Sequence, residues 1–265
     1  MTRVPLSGRV LDAVACSALL WLAAGGTAAQ QASPDRGAVS LPRAADGRPD
    51  LSGIWQSSQL DINNFTLEGE ERTAQRRAAN RGGGLPYTAE ALQRVRALTE
   101  ADDPMLRCVP RGIPRQVGNP NPLQIVQTPG QIVILYEAEH RFRVLPTDGR
   151  PHPGDWFPTF MGDSVGSWEG DTLVVDVIGF NDDTWLDALG TVHSENLHVV
   201  ERYQLSDADT LQYEATVEDP GVLAAPWTKT VVLKRRPAGE RIRESICIDT
   251  QDYQYFQEVF GDEAE

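Results

Sequence analysis

The sequence predicts a mainly β protein, an antiparallel meander that closes into a barrel or, alternatively, a β-sandwich, with a short helical segment near its N-terminus. Three observations carry that prediction. From Leu123 onward, short runs rich in Val, Ile, Thr and aromatic residues follow one another without helical periodicity. Turn formers separate these runs at Pro129-Gly130, Glu169-Gly170-Asp171, Asp207-Ala208-Asp209 and Pro237-Ala238-Gly239, so consecutive strands form hairpins. About eight strands with no helix between them hide their sheet edges most economically by curling into a closed or double layer.

Taken in order, residues 1–29 read as a cleaved secretory signal peptide. Arg3 and Arg9 supply the basic region, residues 13–24 the apolar run, and Thr27-Ala28-Ala29 the small residues at the cut. Residues 30–50, rich in Pro, Gly, Ala and charge, read as a disordered linker. A single β-rich domain then spans 51–265, with helical character over about 69–100: one helix over 69–81 stopped by Gly82-Gly83-Gly84, and a second capped by Thr88 with Leu92, Val95 and Leu98 on one face. Strands are expected at 123–128, 131–145, 164–169, 171–180, 192–205, 210–218, 228–236 and 241–249.

Charge and cysteine content narrow the functions. The chain carries 24 basic and 38 acidic residues, and loss of the signal with Arg3, Arg9 and Asp12 leaves 22 and 37, a net charge of −15. Such a surface has no cation excess to replace the counterions of nucleic acid or anionic lipid, so neither is an expected partner. No apolar run outside the signal is long enough for stable membrane insertion, which places the mature protein in the periplasm or outside the cell. In an oxidising compartment the remaining pair, Cys108 and Cys247, is expected to form a disulfide. The sequence has no Rossmann fingerprint, phosphate loop, haem attachment motif or paired CxxC, so no cofactor is expected. Oligomeric state is not legible.

Pro49-Asp50-Leu51-Ser52-Gly53-Ile54-Trp55, the run GDSVGSWEGDTLVVDVIGFNDDTW and the segment HSENLHVVERY, followed by EDP and Pro226-Trp227, resemble a large family of uncharacterised exported bacterial proteins. The resemblance covers most of the chain after Asp50 and implies export and a β-rich domain, with no activity attached. Gly53-Ile54-Trp55 ahead of a meander is also similar to the Gly-x-Trp at the start of lipocalin barrels, which makes the expected barrel lipocalin-like.

Side-chain alternation sorts residues by strand face. In 131–145, Ile132, Ile134, Tyr136, Ala138, His140, Phe142 and Val144 share a core-like parity, while Glu137, Glu139, Arg141 and Arg143 share the other. Asp176 sits in an apolar strand and is expected to be desolvated, hydrogen-bonded or both. In 192–205, His193, Glu195, Leu197, Val199, Glu201 and Tyr203 share one face, and Ser194, Asn196, His198, Val200 and Arg202 the other. The first set reads either as the wall of a wet lumen or as strand-end and ion-pairing residues.

Three chemistries fit these residues. Gly162-Asp163-Ser164-Val165-Gly166 matches G-x-S-x-G, with Asp176 and His193 following in hydrolase order, but a nucleophile elbow needs a helix after the Ser and a strand follows here. His193 and Glu195 could hold a metal with His140 or His152, although no zinc spacing or calcium loop is present, and no metal is assigned. The expected function is cofactor-independent general acid–base chemistry, of isomerase, cyclase, lyase or hydratase type, on a small apolar or carbonyl-containing molecule in the barrel cavity. Asp176, His193 and Glu195 are the candidates for proton transfer, Glu137 and Arg141 for orienting or polarising, and Tyr136, Trp156, Phe160, Phe180, Trp185 and Trp227 for ligand contact. A carrier that binds the same molecule without turnover is the alternative, and a Ser hydrolase or metal-dependent barrel enzyme the second.

Overall fold

The computed structural model describes residues 40–57, 85–155, 157–188 and 190–247. The expected signal peptide, the helix expected over 69–81, Trp156 and the C-terminal residues 248–265 lie outside the described residues. The others form a nearly closed, lipocalin-like barrel of nine strands: β1 (Gly53–Ser57), β2 (Leu123–Thr128), β3 (Gln131–Tyr136), β4 (Arg141–Pro146), β5 (Asp163–Glu169), β6 (Thr172–Ile178), β7 (His198–Asp207), β8 (Thr210–Glu218) and β9 (Trp227–Arg235). Around the sheet the order is β4-β3-β2-β1-β9-β8-β7-β6-β5, so sequence neighbours pair everywhere except β4 with β5, and β9 returns to β1. That return is a short ladder, with Trp55 opposite Arg235 and Ser57 opposite Leu233.

All eight ladders are antiparallel. Nine strands alternating in direction leave the first and last of the order pointing the same way, so β4 and β5 face each other as parallel neighbours without a ladder. We call this line the seam. Parallel neighbours cannot be joined by a tight hairpin, and here the chain returns outside the barrel through the crossover 147–162.

Alternation then builds the core. Trp55, Leu123, Ile125, Ile132, Ile134, Leu145, Leu173, Val175, Val177, Val199, Tyr203, Leu211, Tyr213, Ala215, Val217, Val231 and Leu233 are all buried, and they pack into one continuous cluster. Trp55 anchors the opening motif: its Nε1 donates to the Leu51 carbonyl at 2.9 Å, and the Arg235 guanidinium lies 4.2 Å over its ring. Gly53 suits the place beside it, because φ 140° is a backbone conformation that L side chains rarely adopt. One end of the barrel carries α1 (Ala89–Ala97), whose first turn is capped by Thr88 Oγ1 accepting from Ala91 N–H at 3.2 Å, as the sequence predicts. It buries Ala91 and Val95, while Leu92 and Leu98 are only half-buried. The four-residue α2 (Arg115–Gly118) is pinned by a buried bidentate pair from Arg115 to Asp103.

Four expected elements differ. The run 131–145 is two strands, because Glu139 (φ 62°) and His140 (φ 54°) turn the chain. The turn resets the parity, so Arg143 and Leu145 point inward while Phe142 and Val144 stand outside. β7 begins only at His198, since Asp219 takes the Ser194 N–H (2.6 Å) and hydroxyl (2.8 Å) and holds 193–197 as a loop. Residues 241–247 form no strand: β1 and β9 already close that side, and the segment is held instead by Arg243 N–H donating to Glu137 and by Cys247. Residues 40–50 are not a free linker, for Leu41 packs on the core and Arg43 clasps Asp171 in two bonds of 2.5 and 2.8 Å.

The expected Cys108–Cys247 disulfide is formed, across 139 positions of sequence. Closing so long a loop restricts the unfolded chain, so Cys247→Ser is expected to cost about 2–4 kcal/mol of stability. Urea unfolding with and without reductant reads it directly: the variant should match the reduced wild type.

Candidate functional site

β6 turns Val175 and Val177 inward and therefore Asp176 outward. The register places Asp176 opposite Val165 of β5 and Val200 of β7, so Asp163 and His198, each two residues along, are its diagonal neighbours on the same outer face. The crossover lays His152 over them. His152 Nδ1 lies 2.5 Å from Asp163 Oδ1 and its Nε2 2.9 Å from Asp176 Oδ2, while the second Asp176 oxygen lies 2.6 Å from His198 Nε2. Glu218 Oε2 stands 3.8 Å from His198 Nδ1, too far for a hydrogen bond, which leaves that nitrogen open.

Burial opposes charge on Asp176, but hydrogen bonds from His198 and His152, with their positive charge, more than offset it and hold the carboxyl below its ordinary range. The three carboxylate–imidazole contacts make Asp163–His152–Asp176–His198 one continuous row, in which Asp176 is shared between two rings. His198 is the ring that solvent reaches, its side chain being 37% exposed against 17% for His152.

Inside the barrel a second network is sealed from solvent. Arg143 of β4 donates to both oxygens of Glu201 on β7, at 3.1 and 2.6 Å, and to Ser164 Oγ on β5 at 2.7 Å. Tyr203 and Tyr213 each donate to Glu201 Oε1 at 3.0 Å. Burial, then the Glu201 charge, raises both phenols well above the ordinary tyrosine range. Burial likewise pushes Tyr136 up to about 12, with Arg143 pulling the other way. The inward parity of Glu201 and Tyr203 is as the alternation predicts. Their surroundings are a packed polar core, however, rather than the lining of a wet lumen, and Arg202 pairs with Glu169 on the surface.

At the seam, an apolar cavity of about 220 Å³ opens between the start of β4 and the end of the crossover, lined by Pro110, His140, Arg141, Phe142, Thr159, Phe160 and Met161.

The residues singled out from sequence do not gather in one place. Asp176 lies in the outer array, and Arg141, His140 and Phe160 at the seam cavity. His193 is buried in the loop before β7, its Nε2 2.7 Å from Thr184 Oγ1 and its ring edge-on to Phe180; burial lowers its pKa despite the Ser194 carbonyl and nearby Asp219. Glu195 is exposed in the same loop, and Glu137 accepts from the Arg243 backbone. Tyr136, Phe180 and Trp185 are core residues, and Trp227 is half-buried against the core. The hydrolase triad is not assembled: Ser164 faces the interior toward Arg143, Asp176 the outside, and His193 is enclosed elsewhere. Nor are His193, Glu195 and His140 brought together, and no group of three or more His, Cys, Asp or Glu among the described residues is arranged to hold a metal.

Sequence reasoning gave His198 and Asp163 no role and named His152 only as a possible metal ligand. The usable signal was shared outward parity on strands expected to be neighbours; the crossover that delivers His152 had no signal. Comparison with models of known protein families and with curated protein sequences found no match to this chain.

Proposed function

We propose that this is an exported protein performing cofactor-independent general acid–base chemistry, of isomerase, cyclase, lyase or hydratase type, on a small carbonyl-containing molecule, and that the outer-face array is where it does so. The observation that carries the reading is the shared Asp176 carboxylate, which orients two imidazoles at once, one of them reached by solvent. In this reading His198 meets the substrate. Its Nε2–H donates to Asp176, which fixes the tautomer and leaves Nδ1 as the base; Glu218 steadies the imidazolium formed when Nδ1 takes a proton. His152 and Asp163 then tune the charge on Asp176. The disulfide is compatible with export, and no helix among the described residues is long and apolar enough to cross a membrane.

Deuterium wash-in tests the reading without knowledge of the final product. A mixture of ketones, enones and aldehydes in D₂O, followed by NMR, should gain deuterium beside a carbonyl in the presence of the mature protein. His198→Gln should lower the rate by about 10²–10⁴-fold with little change in melting temperature. If wild type and His198→Gln exchange alike, or neither exceeds buffer from about pH 5 to 9, the array is only a structural pin for the crossover.

A further inference from the structure

We propose that the seam cavity is a binding site for a small amphipathic carboxylate, a short-chain or single-ring acid whose apolar body lies on Phe142, Phe160 and Met161 and whose carboxylate meets Arg141. The site is separate from the outer array and does not depend on the acid–base reading.

The first observation is charge. In a chain with 38 acidic residues against 24 basic, this cavity has a guanidinium and an imidazole in its wall and no carboxylate. Arg141 is exposed, and among the described residues it has no ion-pair partner, whereas Arg43, Arg150, Arg202 and Arg236 each hold an Asp or Glu. A negatively charged ligand is what this rim complements. The second observation is the apolar surface beside it. Of the six large hydrophobic side chains exposed among the described residues, Phe142 (66%) and Val144 lie on the outside of β4, and Phe157 on the crossover. Of these, Phe142 lines the cavity, and a solvated phenylalanine at a concave site marks a surface that something apolar covers. The third is size. At about 220 Å³ the cavity is smaller than the roughly 300–1,000 Å³ of drug-sized sites, which favours a short acid over a long-chain lipid.

The test is calorimetric titration of the mature, disulfide-bonded protein with octanoate, cyclohexanecarboxylate and the matching neutral amides. Saturable binding of at least one acid is expected, with the amide weaker by about tenfold or more and Arg141→Gln weakened to a similar degree. Phe142→Ser should also weaken the acid, and since both side chains are exposed, neither variant is expected to disturb folding. Equal affinity for acid and amide, full retention in Arg141→Gln, or capture by phosphatidylglycerol vesicles without saturable acid binding would each overturn the proposal. Binding is read here without turnover, so its loss leaves the acid–base reading standing, and failed deuterium exchange leaves this site standing.

Discussion

Glu201→Ala is expected to destabilise the protein by about 3–5 kcal/mol, the range for removing one partner of a buried ion pair. The reason is what remains. Glu201 is fully buried and accepts four hydrogen bonds, two from Arg143 and one each from Tyr203 and Tyr213. Without it, a guanidinium at 4% exposure and two phenols lose their acceptor in a medium that cannot solvate them. Two comparisons in urea separate this from simple loss of packing. Arg143→Met combined with Glu201→Leu should recover much of the loss, since apolar replacement of both partners removes the stranded charge. Arg202→Ala, which breaks the exposed pair with Glu169 on the neighbouring position, should cost under about 1 kcal/mol. Equal costs for Glu201→Ala and Arg202→Ala would mean that water reaches the network.

The same network should make the protein yield to alkali in one step. Tyr136, Tyr203 and Tyr213 have folded pKa values above those of the unfolded chain, chiefly through burial. Below about pH 10 their protonated forms are kept in both states, and their contribution to stability is fully present. Above it the unfolded chain gives up these protons while the folded barrel keeps them. The unfolded state then binds fewer protons, and stability falls as pH rises. Each phenol withdraws about 1.4 kcal/mol per pH unit until its folded value is passed, which for Tyr136 is about 12. Phenolate absorbance followed beside circular dichroism should show these tyrosines ionising together with loss of the β-sheet signal. Smooth phenolate release from an intact sheet would refute it.

Most of the fold was legible because strand periodicity and turn chemistry are local. Val199 and Tyr203 share one buried face as alternation groups them, and Thr88 caps the helix it should. Failures came where a partner distant in sequence decides. Asp219, 25 positions from Ser194, holds the loop that keeps His193 out of β7, and nothing within 192–205 announces it. Two left-handed residues without glycine, Glu139 and His140, hid the turn between β3 and β4 and inverted the expected sides for Phe142, Arg143 and Val144. The candidate site was half legible. Asp176 stood out as a carboxylate among valines, but its partners come from a neighbouring strand and from a crossover whose path depends on strand count. That count turned on whether 131–145 is one strand or two.

Strand parity has a mechanical meaning as well. A cylinder stitched everywhere by ladders can widen only by tearing peptide hydrogen bonds, but here the two lips at β4 and β5 can part with every ladder intact. What resists is a hasp of side chains: Arg143 on one lip grips Ser164 on the other and Glu201 behind it. The barrel is thus a split ring with a clasp, and any force that spreads it, from heat or from an inserted molecule, loads the bonds among those three residues.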